Sequence, residues 1–289
     1  MKILITGARG NFPTALIPRL AAEEYELVLY DLEPMNAPEH CVSVQGDIRD
    51  ASLLTYAMQG CDAVIHAAAY RGSDAETRNE EDFYSVNVTG THNVLRAMLL
   101  HGISYLVFSS SDVVYGNGMR EMRVMDETVP LIPRCYYGMT KVLGEEMCRF
   151  YAHTHDFHIA MLRYGNFSPT DALTAGMGRL NNRLDRDDVA QANVLALGAV
   201  LTETFACEPF LIHCAKPFRE TDWPELESAP DAVIERYYPG ALELLAEHGL
   251  AVPKVHTLYD IHKAVTVLGY DPEYNFDQFL TALRESDRA

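Results

Sequence analysis

Lys2-Ile3-Leu4-Ile5-Thr6-Gly7-Ala8-Arg9-Gly10-Asn11-Phe12-Pro13 is the stretch on which the fold turns. Residues 2–6 are an apolar run that reads as a buried strand. Gly7 then permits a tight turn, and Gly10 lets the backbone approach a pyrophosphate. The helix that follows, over 12–23, offers free N–H groups and the positive end of its dipole to phosphates. Arg9, Asn11 and Phe12 belong to the same cofactor-facing turn. The third glycine of the usual dinucleotide fingerprint is missing and Pro13 stands there, which the first turn of a helix tolerates.

Outward from this turn, strands and helices alternate. Residues 26–30, 42–45, 62–66, 104–109, 158–163 and 210–213 read as further short buried strands. Residues 51–58, 80–101, 138–154 and 187–202 read as helices. Buried strands in strand–helix–strand order predict an α/β fold, a Rossmann-type doubly wound parallel sheet. Its ligand should lie outside the carboxyl ends of the strands. The alternation weakens after about residue 165. Segment 167–184 reads as irregular, and 216–275 is rich in proline and aromatics, with helical pieces near 230–248 and 259–268. The expected organisation is a nucleotide-binding domain over 1–165 and a small C-terminal substrate lobe over 166–289, interleaved with the last sheet elements.

Strand two ends in Asp31, about 20 residues beyond the glycines, where a carboxylate suits a ribose hydroxyl pair and repels a 2′-phosphate. NAD is therefore the expected cofactor rather than NADP. Asp47 and Ile48 follow strand three, where the Asp side chain can reach an adenine amino group. Ala67, Ala68 and Ala69 follow strand four, where small side chains let the chain pass close to the cofactor.

The chemistry-bearing residues lie further on. Strand five runs into Ser109-Ser110-Ser111-Asp112, and Tyr137 and Lys141 follow four apart, on one face of a helix. A tyrosine ordinarily ionises near pH 10. A nearby ammonium and a positive nicotinamide both favour its phenolate. Such a group exchanges a proton with a hydroxyl or carbonyl while hydride moves, and a serine hydroxyl on the same oxygen fixes its position. YxxxK alone arises often on surface helices; behind a serine-rich strand end and a nucleotide loop it is much rarer.

The 289 residues are 48% hydrophobic and 22% charged, the ordinary globular range. The net charge of −18 argues against a nucleic-acid partner. No apolar run reaches membrane-spanning length, and no signal peptide is expected. Six scattered cysteines, none in a CxxC pair, suggest free thiols of a cytoplasmic protein and no metal site.

The chain resembles the extended short-chain dehydrogenase/reductase family, in its NAD-dependent sugar epimerase/dehydratase branch. The resemblance rests on TGARG, YDL, GDI, HAAA, NVTGTHNVL, FSSSDVVYG, DETVP, YYGMTK and LRYGN, in that order over about the first 200 residues, and on the ending HKAVTVLGYDPEYNF. It implies that Ser111, Tyr137 and Lys141 form the catalytic triad and that Lys141 also holds the nicotinamide ribose. It implies that Asn87, on the cofactor side, supports the active-site backbone, that Asn166 touches substrate, and that the assembly is a homodimer. Dehydratases of the family follow the serine position with an Asp-Glu pair; here Asp112 is present but Val113 replaces the glutamate, which argues against dehydration. Asp112 is either a substrate-side residue or a local hydrogen-bonding one.

The resemblance also bears on the substrate class. Only about twenty residues separate Asn166 from Arg186-Asp187-Asp188-Val189-Ala190, too few for the segment that clasps the nucleotide in nucleotide-sugar enzymes of the family. This short form is similar to uronate dehydrogenases, in which an arginine of the segment holds the substrate carboxylate. Arg179 and Arg183 are the candidates, with Arg71 approaching from the other side; both segment arginines are equally readable as surface residues or as partners of Asp185, Asp187 or Asp188. The expected activity is hydride transfer from a sugar or sugar acid. An epimerase that keeps its NAD, and a non-catalytic NAD-binding sensor, are the competing readings.

Overall fold

The computed structural model describes residues 1–116 and 124–286. Their strands are β1 (Lys2–Thr6), β2 (Glu26–Asp31), β3 (Cys41–Gln45), β4 (Ala63–His66), β5 (Tyr105–Ser111), β6 (Val124–Met125), β7 (His158–Tyr164), β8 (Cys207–Ile212) and β9 (Leu258–Tyr259). Seven form a sheet in the order β3-β2-β1-β4-β5-β7-β8, every pairing parallel. The order reverses between β1 and β4, so the crevice for a ligand opens at their carboxyl ends. β6 and β9 pair separately.

Alternation along each strand feeds two cores. Ile3, Ile5, Leu27, Leu29 and Val107 pack against α1 (Pro13–Ala22) and the helix Arg186–Leu201, through Leu16, Leu20, Val189 and Val200. Leu4, Val28, Val64 and Phe108 face the other side. They meet α2 (Ala51–Ala57), the helix Thr91–His101 and the helix Tyr136–His155 through Leu54, Val94, Met98 and Cys148. A third apolar cluster, around Leu180, Trp223, Ile234, Leu245, Phe276 and Phe279, lies within the C-terminal part. The long Tyr136–His155 helix starts because the Cys135 sulfur accepts from Gly138 N at 3.3 Å, satisfying one of the donors a helix start leaves free.

Several expected boundaries move. The helix predicted over 80–101 is α-helical at Glu80–Phe83 and Thr91–His101 but widens to a π stretch over Tyr84–Gly90, which turns Asn87 into the interior. Segment 167–184, expected to be irregular, contains a helix, Ala172–Gly178, capped by the Asp171 carboxylate on Thr174 N. The piece predicted over 230–248 is two helices, Pro230–Tyr237 and Ala241–Glu247, parted at Gly240 with φ 79°. Over 259–268, Tyr259 is drawn into pairing with Met125, and the helical turn that follows ends at Gly269, φ 74°.

Candidate active site

One cavity of about 890 Å³ runs along the carboxyl edge of the sheet. At its cofactor end Gly7 sits at φ 67°, and a Cβ there would lie 2.7 Å from Ala68 N. Only glycine combines that dihedral with that approach, so β1 and β4 present bare backbone to a phosphate. Gly10 N donates to Gly7 O at 2.9 Å, closing the turn. Pro13 begins α1, and Phe12 is buried, its ring 5.7 Å from Tyr164 and 6.0 Å from Phe167. Asn11 Nδ2 donates to Phe167 O at 2.7 Å. These aromatic contacts anchor the helix start where the third fingerprint glycine is absent. Tyr164 and Phe167 also line the cavity; nothing in their spacing announced it.

Asp31 ends β2 on the cavity wall, its carboxylate accepting from Arg9 N at 2.9 Å and Glu33 N at 3.0 Å. A side pocket of about 180 Å³ is lined by Asp47, Ile48, Arg49 and Tyr70. Both Asp47 oxygens accept from Arg49 Nε at 3.0 Å, and these hydrogen bonds hold the carboxyl below its ordinary pKa. Ala67, Ala68 and Ala69 form the floor. Beneath them Thr6 Oγ1 lies 2.7 Å from His66 Nδ1, and His66 Nε2 lies 2.9 Å from Thr91 Oγ1. Burial drives the His66 pKa down to about 3, so this imidazole is a neutral strut.

Asn87 is not on the cavity wall, which corrects its place among the cofactor contacts. It is 3% exposed; its Oδ1 accepts from Tyr70 N, and its Nδ2 donates to Tyr70 O and to Thr140 Oγ1 at 3.0 Å. With every polar atom so engaged, it brackets the β4 loop to the Tyr136–His155 helix.

Ser111, Tyr137 and Lys141 converge on the cavity. Ser111 is the last residue of β5; Tyr137 and Lys141 are one turn apart at the start of the long helix. Lys141 is 5% exposed, and its Nζ donates to Ser109 O at 2.6 Å and lies 5.8 Å from the Tyr137 ring centre. Desolvation draws the ammonium pKa down to about 8. The Tyr137 phenol is pushed above its ordinary value by burial, with Ser111 and Arg71 pulling it back. The ammonium is engaged by the Ser109 carbonyl and burial favours the neutral phenol, so the pull toward phenolate would come chiefly from a bound nicotinamide.

Behind this wall lies a buried polar network that the sequence reading missed. Arg163, 1% exposed, donates through Nε and Nη2 to the two Glu145 oxygens at 2.9 and 2.7 Å and through Nη1 to Tyr115 Oη at 2.7 Å. Glu145 also accepts from Ser110 Oγ at 2.6 Å. Glu145 sits four residues after Lys141, on the same helical face. That offset was the available signal.

The substrate-side candidates part company. Asp112, 2% exposed, and Asn166 line the cavity, as does Arg71, whose side chain is 52% exposed. Asn166 Oδ1 accepts from Ser168 N at 3.0 Å. Arg179 and Arg183 are not among the lining residues. Arg179 is turned to the C-terminal helix Phe276–Ser286 and its lead-in, donating to Gln278 Oε1 at 2.8 Å and Asn275 O at 3.3 Å, with Asp185 at 3.7 Å. Arg183 donates to Ser168 O, steadying the loop that forms the wall. Packing of the short 167–185 segment therefore occupies both arginines, and Arg71 is the one of the three that faces the cavity.

The sequence model of the NAD dependent epimerase/dehydratase family matches residues 3–181. L-arabinose 1-dehydrogenase (NAD(P)(+)) of Haloferax volcanii is 33% identical over 57% of this chain and 66% of its own length. Uronate dehydrogenase of Pseudomonas putida is 30% identical over 58% of this chain and 62% of its own. The matches thus span less than two thirds of these relatives. The UDP-Glc/GlcNAc 4-epimerase structure from Campylobacter jejuni superposes with a TM-score of 0.74, covering 99% of both chains at 18% identity, a likeness of fold. The chain belongs to the NAD dependent epimerase/dehydratase family. The bare Gly7 backbone, the helix start behind it and the Asp31 carboxylate suit that family's cofactor.

Proposed function

We propose that the chain is an NAD-dependent dehydrogenase of a free sugar or sugar acid. The observation that carries this is the meeting of Ser111, Tyr137 and Lys141 on the wall of the cavity that begins at Gly7 and Asp31. NAD bound along that wall would supply the hydride acceptor and a positive charge that favours the Tyr137 phenolate. Asp31 holds the adenosine ribose; Gly7 and Gly10 let the backbone reach the pyrophosphate; Lys141 holds the second ribose. Ser111 orients the reacting sugar oxygen, and Tyr137 Oη takes the proton that this oxygen loses. Asn87 and the Glu145–Arg163 pair keep strand end and helix in register.

A free sugar, rather than a nucleotide sugar, is supported by the short stretch between Asn166 and Arg186, whose one helix is fastened to the C-terminal helix through Arg179 and Gln278. The names of the arabinose and uronate dehydrogenases support the same class. We further propose a cytoplasmic enzyme, acting as a homodimer as its family resemblance suggests. Free thiols at all six cysteines, and the lack of any helix among the described residues long and apolar enough to cross a membrane, accord with the compartment.

The test is a panel of free aldoses, free uronates and nucleotide sugars, each given with NAD while absorbance follows NADH. Continued NADH formation with a free sugar supports the reading. Interconversion of a nucleotide sugar without net NADH, or no reaction with any sugar, contradicts it.

A further inference from the structure

Ser111 has one hydroxyl hydrogen and more than one claimant for it. Its Oγ lies 3.4 Å from Asp112 Oδ1, and it already accepts from Val113 N at 3.4 Å. The same hydrogen is needed by the sugar oxygen that Ser111 orients. Which claimant receives it depends on Asp112, because an ionised carboxylate can only accept, whereas a protonated one can donate.

Among the described residues, the surroundings of Asp112 hold no cation partner. The carboxyl is 2% exposed, and among the described residues Oδ2 has no hydrogen-bond partner within bonding distance. His213, which follows β8, places Nε2 3.8 Å from Oδ2, too long for a hydrogen bond. That ring is fully buried, with neither nitrogen partnered among the described residues, and is stacked on Tyr259 of β9 at 3.7 Å. Burial and the Lys216 charge push the His213 pKa well down, so it is neutral. Lys216 itself lies 5.4 Å from the Tyr259 ring centre. The remaining groups facing the carboxyl are Ser111 from β5, Tyr137 from the long helix, Asn182 from the cavity loop and the Tyr259 hydroxyl, all uncharged while the phenols keep their protons. Arg71, on the same cavity wall, pulls the Tyr137 phenol down. Burial favours the neutral acid and outweighs the hydrogen bonds from Asn182, Ser111, Val113 N and Tyr259, which favour the carboxylate.

We propose that Asp112 is a positioning residue that works as a neutral acid: its carboxyl proton is donated to Ser111 Oγ, leaving the serine hydrogen free for the reacting oxygen. Ionisation of Asp112 reverses that hydrogen bond and disarms Ser111. No covalent bond is made or broken in the reversal beyond loss of the carboxyl proton to solvent. Burial raises the Asp112 pKa to about 7, which puts the reversal within the working range. The proposal rests on the dehydrogenase reading for Ser111's role, but the state of the carboxyl is measurable apart from it.

The decisive variant is Asp112→Asn, whose amide donates at every pH and so mimics the neutral acid. Two measurements are made on the whole protein with NAD. The first is kcat from pH 6 to 9 for wild type and Asp112→Asn, with NAD affinity confirming that the variant folds. The expected ratio of wild type to variant is steady near pH 6 and falls about tenfold or more by pH 9 as the wild type alone loses its donor. A flat ratio, or a variant that binds NAD normally yet is inactive throughout, overturns the proposal. The second is the infrared C=O stretch of a neutral carboxylic acid, which should be present at pH 6, titrate away near pH 7 and be missing from Asp112→Asn. Its absence from wild type at pH 6 overturns the proposal even where no sugar is turned over, whereas absent turnover with the band intact counts against the dehydrogenase reading alone.

Discussion

Ser110 Oγ donates to Glu145 Oε1 at 2.6 Å, tying the residue before Ser111 to the helix that carries Lys141 one turn earlier. Arg163 on β7 neutralises the same carboxylate, so three neighbouring elements are fastened at one buried point. Removing one partner leaves an uncompensated charge in the interior, which costs far more than the pair itself contributes. Glu145→Ala should therefore lower unfolding stability by about 3–5 kcal/mol, measured by urea denaturation. A loss below about 1 kcal/mol, the range of exposed pairs, would show that solvent reaches Arg163 and that the bracket is weak.

Asp31 decides the second expectation. Its carboxylate stands at the end of β2 with Arg9 N and Glu33 N already donating to it. A 2′-phosphate brought beside it meets like charge in a partly dry cleft. NAD should bind at least about tenfold tighter than NADP, a difference of about 1.4 kcal/mol, and Asp31→Asn should narrow the gap. Fluorescence titration of both cofactors measures this. Equal affinity in the wild type would mean that the exposed Arg9 guanidinium outweighs the carboxylate.

The raised Asp112 pKa carries a consequence for stability. The folded protein keeps a proton up to about pH 7 that the unfolded chain releases near 3.8, the ordinary value of an aspartate. The favourable contribution is full below that lower value and is lost as pH rises through the upper one. The stability of wild type relative to Asp112→Asn should fall between pH 4 and 7, with a slope of at most about 1.4 kcal/mol per pH unit. Denaturation curves of the two proteins at several pH values measure the slope. A constant difference would place the carboxyl in contact with solvent or a cation.

Much of the sheet was legible because parallel strands buried on both faces appear as unbroken apolar runs, and those runs give Leu4, Val28, Val64 and Leu106 directly. The cofactor turn was legible because Gly7 answers a local need of φ and space. Ser111, Tyr137 and Lys141 were legible from short spacings and family likeness. What escaped depended on partners distant in sequence. The nearby Asp185 was a readable partner for Arg179 but residues 275 and 278 were not, Arg163 and Glu145 are eighteen residues apart, and Asn87 is drawn inward by a π-helical widening that no periodicity encodes. The Lys141 ammonium, expected to act on the phenol, is taken up by the Ser109 carbonyl.

The central claim is that Tyr137 Oη takes the proton while hydride leaves a free sugar. Its most direct measurement is the amount of NADH formed per mole of protein with sugar and NAD in excess, for wild type and Tyr137→Phe. Many equivalents of NADH are expected for wild type, and for Tyr137→Phe a rate lower by at least about a hundredfold, as for loss of a general base, with NAD affinity unchanged. No more than one equivalent from wild type, or a near-normal rate from Tyr137→Phe, would contradict it.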